Sequence, residues 1–393
     1  LFGLFNCSRN GCENHEIILE DYAQIEDSLK ILNLGFLMIF GCATFGTRPH
    51  GTDKERMKES KQFNAELGTF ANRRPHLFAQ MKKNTMNWAT FKKYFTGGDP
   101  NKVPLSKLPE MKPDIEKFLT PSPDLKVIWF GHSTFLLNLD GIIIMVDPVF
   151  SGSAAPVSFL AKRFQEPVLS LAELPKIDYV LLSHDHYDHL DMESIKFFKN
   201  QKVEFIAPLG VGSHLKGWGI EKERITELDW WEKTTKPNEV DFIATPAQHF
   251  SGRDGFNENE TLWASWVIQK GKHKVYFSGD SGYDIHFKEI GDRFGPFDIA
   301  FLETGQYDEQ WKEVHMMPDE AAQAYFDLKA KIFFPVHWGM FVLANHSWYD
   351  PILRISGESL KRNINLIAPK IGELVQVVDG VKTADWWSSE IKE

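Results

Sequence analysis

Six consecutive residues carry the densest chemistry in the chain: His184, Asp185, His186, Tyr187, Asp188 and His189. They follow the apolar run Tyr179-Val180-Leu181-Leu182 and then Ser183, so the loop leaves the end of an expected buried strand. Imidazoles and carboxylates packed this closely cannot be buried without a counterion, because desolvation would be severe. Either a solvated loop or a metal ion must accommodate them. A loop at a strand end can aim His184 and His186 to one side, while Asp188 and His189 supply a second position a few ångströms away. Three isolated residues repeat the placement. His249 follows Ala244-Thr245-Pro246-Ala247-Gln248, Asp280 follows Val275-Tyr276-Phe277-Ser278-Gly279, and His337 follows Ile332-Phe333-Phe334-Pro335-Val336. The C-terminal tips of strands are where α/β architectures collect functional groups. Each residue alone reads more readily as a structural one. Together with the loop they make a seven-ligand metal set of His184, His186, Asp188, His189, His249, Asp280 and His337. Nitrogen and oxygen donors without Cys or Met suit zinc, iron or manganese rather than copper.

The elements that must position these residues alternate between hairpins and strand–helix units. Leu125–Phe130 reads as a strand, and Thr134–Leu139 and Ile142–Val146 flank Asp140-Gly141, a strong hairpin signal. A second hairpin is expected from Trp263–Gln269 and Lys274–Ser278, and a helix opened by Pro from Pro318–Leu328. A helix-like stretch near 52–66 and an aromatic patch around Trp88 and Phe91 precede the main body. The alternation predicts an αββα sandwich of two mixed sheets with helices on the outer faces. Residues 125–380 form one expected large domain, 43–124 an extension wrapping onto it, and 381–393 a tail.

Composition narrows the function classes. The 393 residues carry a net charge of −10 and no basic stripe, which argues against a nucleic-acid partner. Phe and Trp are abundant, at 31 and 12, and supply either a Phe-rich core or an apolar cleft. The three cysteines, Cys7, Cys12 and Cys42, lie outside the main body, so no thiolate site serves it. Residues 31–42, ILNLGFLMIFGC, are shorter than the roughly 20 residues of a membrane span. They fit the apolar core of a signal peptide, with Ile39-Phe40-Gly41-Cys42 as a lipoprotein processing site, or else a buried apolar segment. On the first reading residues 1–42 are a leader or mistranslated upstream sequence. Cys42 would then anchor the protein in a bacterial envelope facing the periplasm; the alternative is a cytoplasmic protein.

The motif HDHYDH at 184–189, followed in order by His249, Asp280 and His337, resembles the metallo-beta-lactamase fold superfamily. A narrower likeness rests on VIWFGHSTFLLNLDG (127–141), VDPVFSGSAAP (146–156), TPAQHFSGRD (245–254), YFSGDSGY (276–283) and PVHWGMF (335–341). These segments resemble the branch containing N-acyl-phosphatidylethanolamine-hydrolysing phospholipase D and its bacterial relatives. That branch commonly has Trp where this chain has Phe250. The resemblance implies two Zn2+ ions, with Mn or Fe as substitutes. His184, His186 and His249 would hold one, Asp188, His189 and His337 the other, and Asp280 would bridge them. It further implies that His132 and Asp185 support the ligands from behind, Asp185 by accepting from a neighbouring imidazole, and places His315 near the site as a contact to phosphate or leaving group. A helix cap is the competing role for His315, and a turn cap for His132. Arg253 is read as a buttress between neighbouring loops.

A hydroxide held between two cations would attack phosphorus in a diester or a carbonyl in an ester. The leading expectation is a phosphodiesterase of phospholipase D type acting on N-acyl phosphatidylethanolamine or a related lipid. Asp188, Asp280 and His315 would be its catalytic residues, and the enzyme would touch a membrane surface. The alternative is a hydrolase of a small soluble ester, lactone or sugar phosphate. A di-iron redox enzyme and a non-catalytic envelope-binding protein are the competing classes; no electron-carrier motif supports the former. The aromatic residues Phe150, Phe159, Tyr187, Phe250, Trp338, Phe341 and Trp348 are candidates to receive acyl chains, or else core.

Overall fold

A computed structural model describes residues 43–85 and 97–391. The leader reading of 1–42, with Cys42, and the patch around Trp88 and Phe91 fall outside the described residues. Chain contacts separate Leu1–Phe45 from Gly46–Glu393. In the first unit the described residues 43–45 form a turn; all that follows concerns the second.

A short helix, α1 (Thr52–Lys58), leads into a two-stranded hairpin of β1 (Phe63–Asn64) and β2 (Thr69–Phe70). The helix stops well short of residue 66, because Glu59 caps it and the chain turns into β1. Helix α2 (Pro75–Thr85) follows, then α3 (Ile115–Leu119), whose first turn is capped by Asp114 accepting from the Lys117 amide.

The first large sheet is built from β3 (Lys126–Trp129), β4 (Phe135–Leu139), β5 (Ile142–Val146), β6 (Tyr179–Leu181), β7 (Glu204–Pro208) and β8 (Ile225–Leu228), and is closed by the last strand of the chain. Asp140 and Gly141 both take positive φ, 53° and 82°, giving the tight turn that matches strand twist. Strict alternation assigns its faces. Val127, Trp129, Phe135, Leu137, Ile144, Val146 and Leu181 point into the cluster between the sheets. Ile128, Phe130, Leu136, Ile143, Met145, Val180 and Leu182 point into a second cluster. That outer cluster is completed by α4 (Met192–Phe197) and α5 (Gly212–Gly217), through Met192, Ile195 and Leu215.

The second sheet runs β9 (Lys233–Thr235), β10 (Asp241–Thr245), β11 (Ser265–Lys270), β12 (His273–Phe277), β13 (Ile299–Glu303) and β14 (Phe333–Val336) in spatial order. Strands β9 to β12 pair antiparallel, whereas β12, β13 and β14 pair parallel, so this sheet is mixed like the first. Helices α6 (His286–Phe294), α7 (Pro318–Asp327) and α8 (Asp350–Arg362) cover it, burying Phe287, Ile290, Ala321, Tyr325, Ile352 and Ile355. The final strand, β15 (Leu374–Gln376), returns to pair with β3. The architecture is therefore the expected αββα sandwich. Beyond β15, the segment read as a tail buries Trp386 and Trp387, and Trp386 stacks on Trp338 with centroids 5.8 Å apart. No helix among the described residues is long and apolar enough to cross a membrane.

Candidate metal centre

The loop after β6 and the chain just past the C-terminal ends of β10, β12 and β14 meet at one rim of the sandwich. Glycine makes the closest approach possible. Gly279 has φ +54°, and a Cβ there would stand 2.8 Å from Ser183 Cβ and 2.9 Å from the Ala264 carbonyl. Residues with side chains also take left-handed backbone at this rim, among them His132 at 53°, Asp147 at 38° and His337 at 68°. Such conformations persist where surrounding structure over-determines them and concentrate at functional sites. Here the His337 amide donates to the His132 carbonyl (3.0 Å), and the His132 amide to the Trp338 carbonyl (2.9 Å).

All seven expected ligands converge. His184 Nε2 lies 2.9 Å from His186 Nδ1, which lies 3.1 Å from His249 Nε2. On the other side His337 Nε2 is 3.1 Å, and His189 Nε2 3.4 Å, from Asp188 Oδ2. Asp280 stands between the groups. Its Oδ1 is 3.1 Å from His189 Nε2, and its Oδ2 is 3.1 Å from His337, 3.6 Å from His249 and 3.8 Å from His184.

The outer nitrogens explain the aim of the rings. Nδ1 of His189 meets Asp147 Oδ2 at 2.6 Å, Nδ1 of His249 meets the Val314 carbonyl at 3.1 Å, and Nδ1 of His184 meets Ser183 Oγ at 3.0 Å. His337 Nδ1 faces the Gly305 carbonyl at 3.4 Å. Each of these rings therefore turns Nε2 inward, whereas His186 offers Nδ1. Asn72, from the extension, holds both the amide and the carbonyl of His249.

These side chains fit a divalent cation better than they fit one another. Inward lone pairs of neutral imidazoles facing each other have no proton to share, and His189 Nε2 and Asp280 Oδ1, though 3.1 Å apart, are buried without a well-directed hydrogen bond. Burial pushes His184, His186 and His249 below their ordinary pKa, which favours the neutral ring, the form able to ligate a metal. Burial also opposes charge on His189 and His337. In them the carboxylates of Asp280 and Asp188 outweigh it, raising His189 far above its usual range and His337 to about 10. Protons accumulating among buried carboxylates mark a place where a cation is favoured. Three sets each bring their ligand atoms within 4.8 Å of one another: His184, His186, His249 and Asp280; His132, Asp188, His189 and His337; and Asp280, Glu303, His315 and His337.

His132 is in the second set itself, with Nε2 2.8 Å from Asp188 Oδ2. Asp185 turns away from the ligand rings. It accepts from Gly252 N (2.8 Å) and Thr261 Oγ1 (2.9 Å) and faces His214 Nε2 at 3.3 Å, so the imidazole it holds belongs to His214 in α5. Arg253 is buried and donates to the carbonyls of Asp185 and Leu190, with its guanidinium 4.0 Å from the Tyr187 ring centroid. It braces the loop. His315 places Nδ1 2.8 Å from Glu303 Oε2, while α7 is capped by Glu320 accepting from the Met317 amide. The capping role for His315 is thereby filled by another residue.

Two acids at the site escaped the sequence reading. Asp147 takes the Ser183 amide and hydroxyl as well as His189. Glu303 is fully buried under His315 and His337, and burial pushes its carboxyl above the usual range against the opposing pull of His315. Both end an apolar strand, as Asp280 and His337 nearly do.

A cavity of about 390 Å³ opens on His186, Asp188, Asp280, His315 and His337, and its walls include Met81, Phe250, Trp311, Val314 and Leu343. Of the aromatic candidates for acyl contact, Phe250 lines this cavity, whereas Trp338, Phe341 and Trp348 are buried in the core.

Residues 143–338 match the family model described as Beta-lactamase superfamily domain. An uncharacterised protein of Mycobacterium tuberculosis is 39% identical over 289 residues, covering 72% of this chain and 77% of that protein. N-acyl-phosphatidylethanolamine-hydrolyzing phospholipase D 1 of Caenorhabditis elegans is 34% identical over 56% of this chain and 65% of its own length. Outer membrane protein RomA of Klebsiella pneumoniae is 58% identical over 94 residues, 24% of this chain and 70% of RomA. Among solved structures, a possible metal-dependent hydrolase from Veillonella parvula shares the fold with TM-score 0.52 at 16% identity, over 65% of this chain and all of that one.

Proposed function

The chain belongs to the metallo-beta-lactamase superfamily, in the branch resembling N-acyl-phosphatidylethanolamine-hydrolysing phospholipase D, and is a metal-dependent hydrolase by that membership; on this premise we propose that it is a binuclear phosphodiesterase of phospholipase D type. Its substrate on this reading is N-acyl phosphatidylethanolamine or a related lipid. The observation that carries the reading is the carboxylate of Asp280, which stands between two histidine groups and faces both. His184, His186 and His249 would hold one cation, Asp188, His189 and His337 the other, and Asp280 both. Zinc suits this donor set. When bound, such a pair supplies a water activated near neutral pH and Lewis acidity for the phosphoryl oxygens.

The protein's own groups do the rest. His132 and His337 fix Asp188, Asp147 fixes His189, and Arg253 keeps the 184–190 loop closed over the core. His315 lines the cavity and is placed to meet a substrate oxygen. Met81, Phe250, Trp311, Val314 and Leu343 offer an apolar wall to carbon atoms and exclude water beside the reacting group. That wall supports a lipid. The modest volume, about 390 Å³, supports a second reading in which a small ester, lactone or sugar phosphate is the substrate. The likeness to RomA supports an envelope location, where a lipid substrate would be at hand.

The test is to incubate the zinc-loaded protein with N-acyl phosphatidylethanolamine in mixed micelles and identify products by mass spectrometry. Release of N-acylethanolamine with phosphatidic acid is the expected result. Turnover of lactones or soluble esters with no lipid cleavage would favour the second reading and overturn the first.

A further inference from the structure

Glu303 occupies a site where packing alone gives no reason for a charge. It ends β13 after Ile299, Ala300, Phe301 and Leu302, and all five residues are fully buried. A buried carboxylate is costly unless its oxygens are engaged. Both are. Oε1 accepts from the Met316 amide at 2.6 Å, and Oε2 lies 2.8 Å from His315 Nδ1 and 3.5 Å from His337 Nδ1. His315 is thus held by its inner nitrogen at the wall of the cavity that Asp188, Asp280 and His337 also line.

From this geometry we infer that Glu303 is a positioning residue: it fixes the ring and tautomer of His315 so that Nε2 is presented to an oxygen of the substrate's reacting group. The inference rests on the hydrolase reading above. A carboxylate offers only acceptors, so the hydrogen of a neutral His315 must sit on Nδ1 and Nε2 is left to the cavity. Glu303→Gln keeps the shape but breaks this rule. The Met316 amide claims the one amide oxygen, which leaves the NH2 group facing Nδ1 and forces His315 into the opposite tautomer.

Long-range 15N–1H NMR of the imidazoles in the metal-loaded protein, with His315 assigned by its loss in His315→Ala, reads the tautomer directly. A proton on Nδ1 in the wild type is expected, and an unprotonated Nδ1 would overturn the proposal without any appeal to turnover. For Glu303→Gln, kcat on N-acyl phosphatidylethanolamine should fall about 10–100-fold, with metal content retained and KM little changed. In a His315→Ala background the same change should cost far less than in the wild type, because the 2.8 Å contact to His315 is gone and only the 3.5 Å approach to His337 remains. Losses that multiply, or a Glu303→Gln enzyme as fast as wild type, would refute it. Failure of the hydrolase reading shows differently: the wild type itself has no turnover, while the NMR result stands.

Discussion

Replacing glycine by alanine should have opposite effects at two places in this chain. At Gly279 the backbone is left-handed, with φ +54°, and an added methyl would lie 2.8 Å from Ser183 Cβ and 2.9 Å from the Ala264 carbonyl. Left-handed backbone costs a residue with a Cβ about 1–2 kcal/mol, and overpacking a tight site costs about 1–3 more. Gly279→Ala should therefore lose about 2–5 kcal/mol. Ser183 precedes His184 and its hydroxyl lies against His184 and His189, so its displacement should also weaken metal binding. Gly357, inside α8, has nothing within 4 Å of the added methyl. There Gly→Ala should stabilise by about 0.5–1 kcal/mol, because helical alanine gives up less chain entropy. At roughly 2 °C per kcal/mol for a chain of this size, the first variant melts about 4–10 °C below wild type and the second about 1–2 °C above. Differential scanning calorimetry with parallel metal analysis measures both. A Gly279→Ala protein that melts with the wild type and binds its full metal load would refute the packing argument.

Three further outcomes are expected. Asp147→Asn removes the charge that holds His189 Nδ1 and should weaken metal affinity or turnover about 10–100-fold; competition against a fluorescent chelator measures it, and an unchanged affinity would count against that role. Stripping the metal with a chelator should lower the melting temperature, since a ligand at 100 times its Kd contributes about 2.7 kcal/mol; a melting point indifferent to chelation would contradict the metal centre. His286 is buried, and burial together with Arg73 and Arg74 lowers its pKa to about 3. Between that value and the unfolded value near 6.5 the unfolded chain binds the extra proton, so stability falls as pH drops through this window, by about 2 kcal/mol at pH 5. Denaturant titrations of His286→Gln should show that share of the acid sensitivity gone, and parallel pH profiles for variant and wild type would exclude it.

Most of the candidate site was legible because each candidate ligand follows an apolar run, and such runs announce strands whose tips sit together in an α/β sandwich. The 184–189 loop, His249, Asp280 and His337 all carry that signature. So do Asp147 after Ile142–Val146 and Glu303 at the end of Ile299–Leu302. A single acid at a strand end reads as a turn residue until its neighbours in space are known. Asp185 illustrates the complementary difficulty: it sits among ligands in sequence, yet its partner His214 comes from a helix 29 positions on. Among the elements, hairpins with glycine turns and long apolar strands were clear. Strands β8 and β9, with sequences ITEL and KTT, were not, because their pairing with β7 and β10 rather than any hydrophobic pattern makes them strands. The helix expected to 66 ends at Lys58, where tertiary packing of Phe63 and Phe70 takes over the chain.

Counting and locating the metal in the purified protein tests the central claim most directly. Anomalous diffraction from zinc-loaded crystals should show two ions, one among His184, His186 and His249 and one among Asp188, His189 and His337, with Asp280 touching both. A single ion, or two that leave Asp280 uncoordinated, would contradict the account.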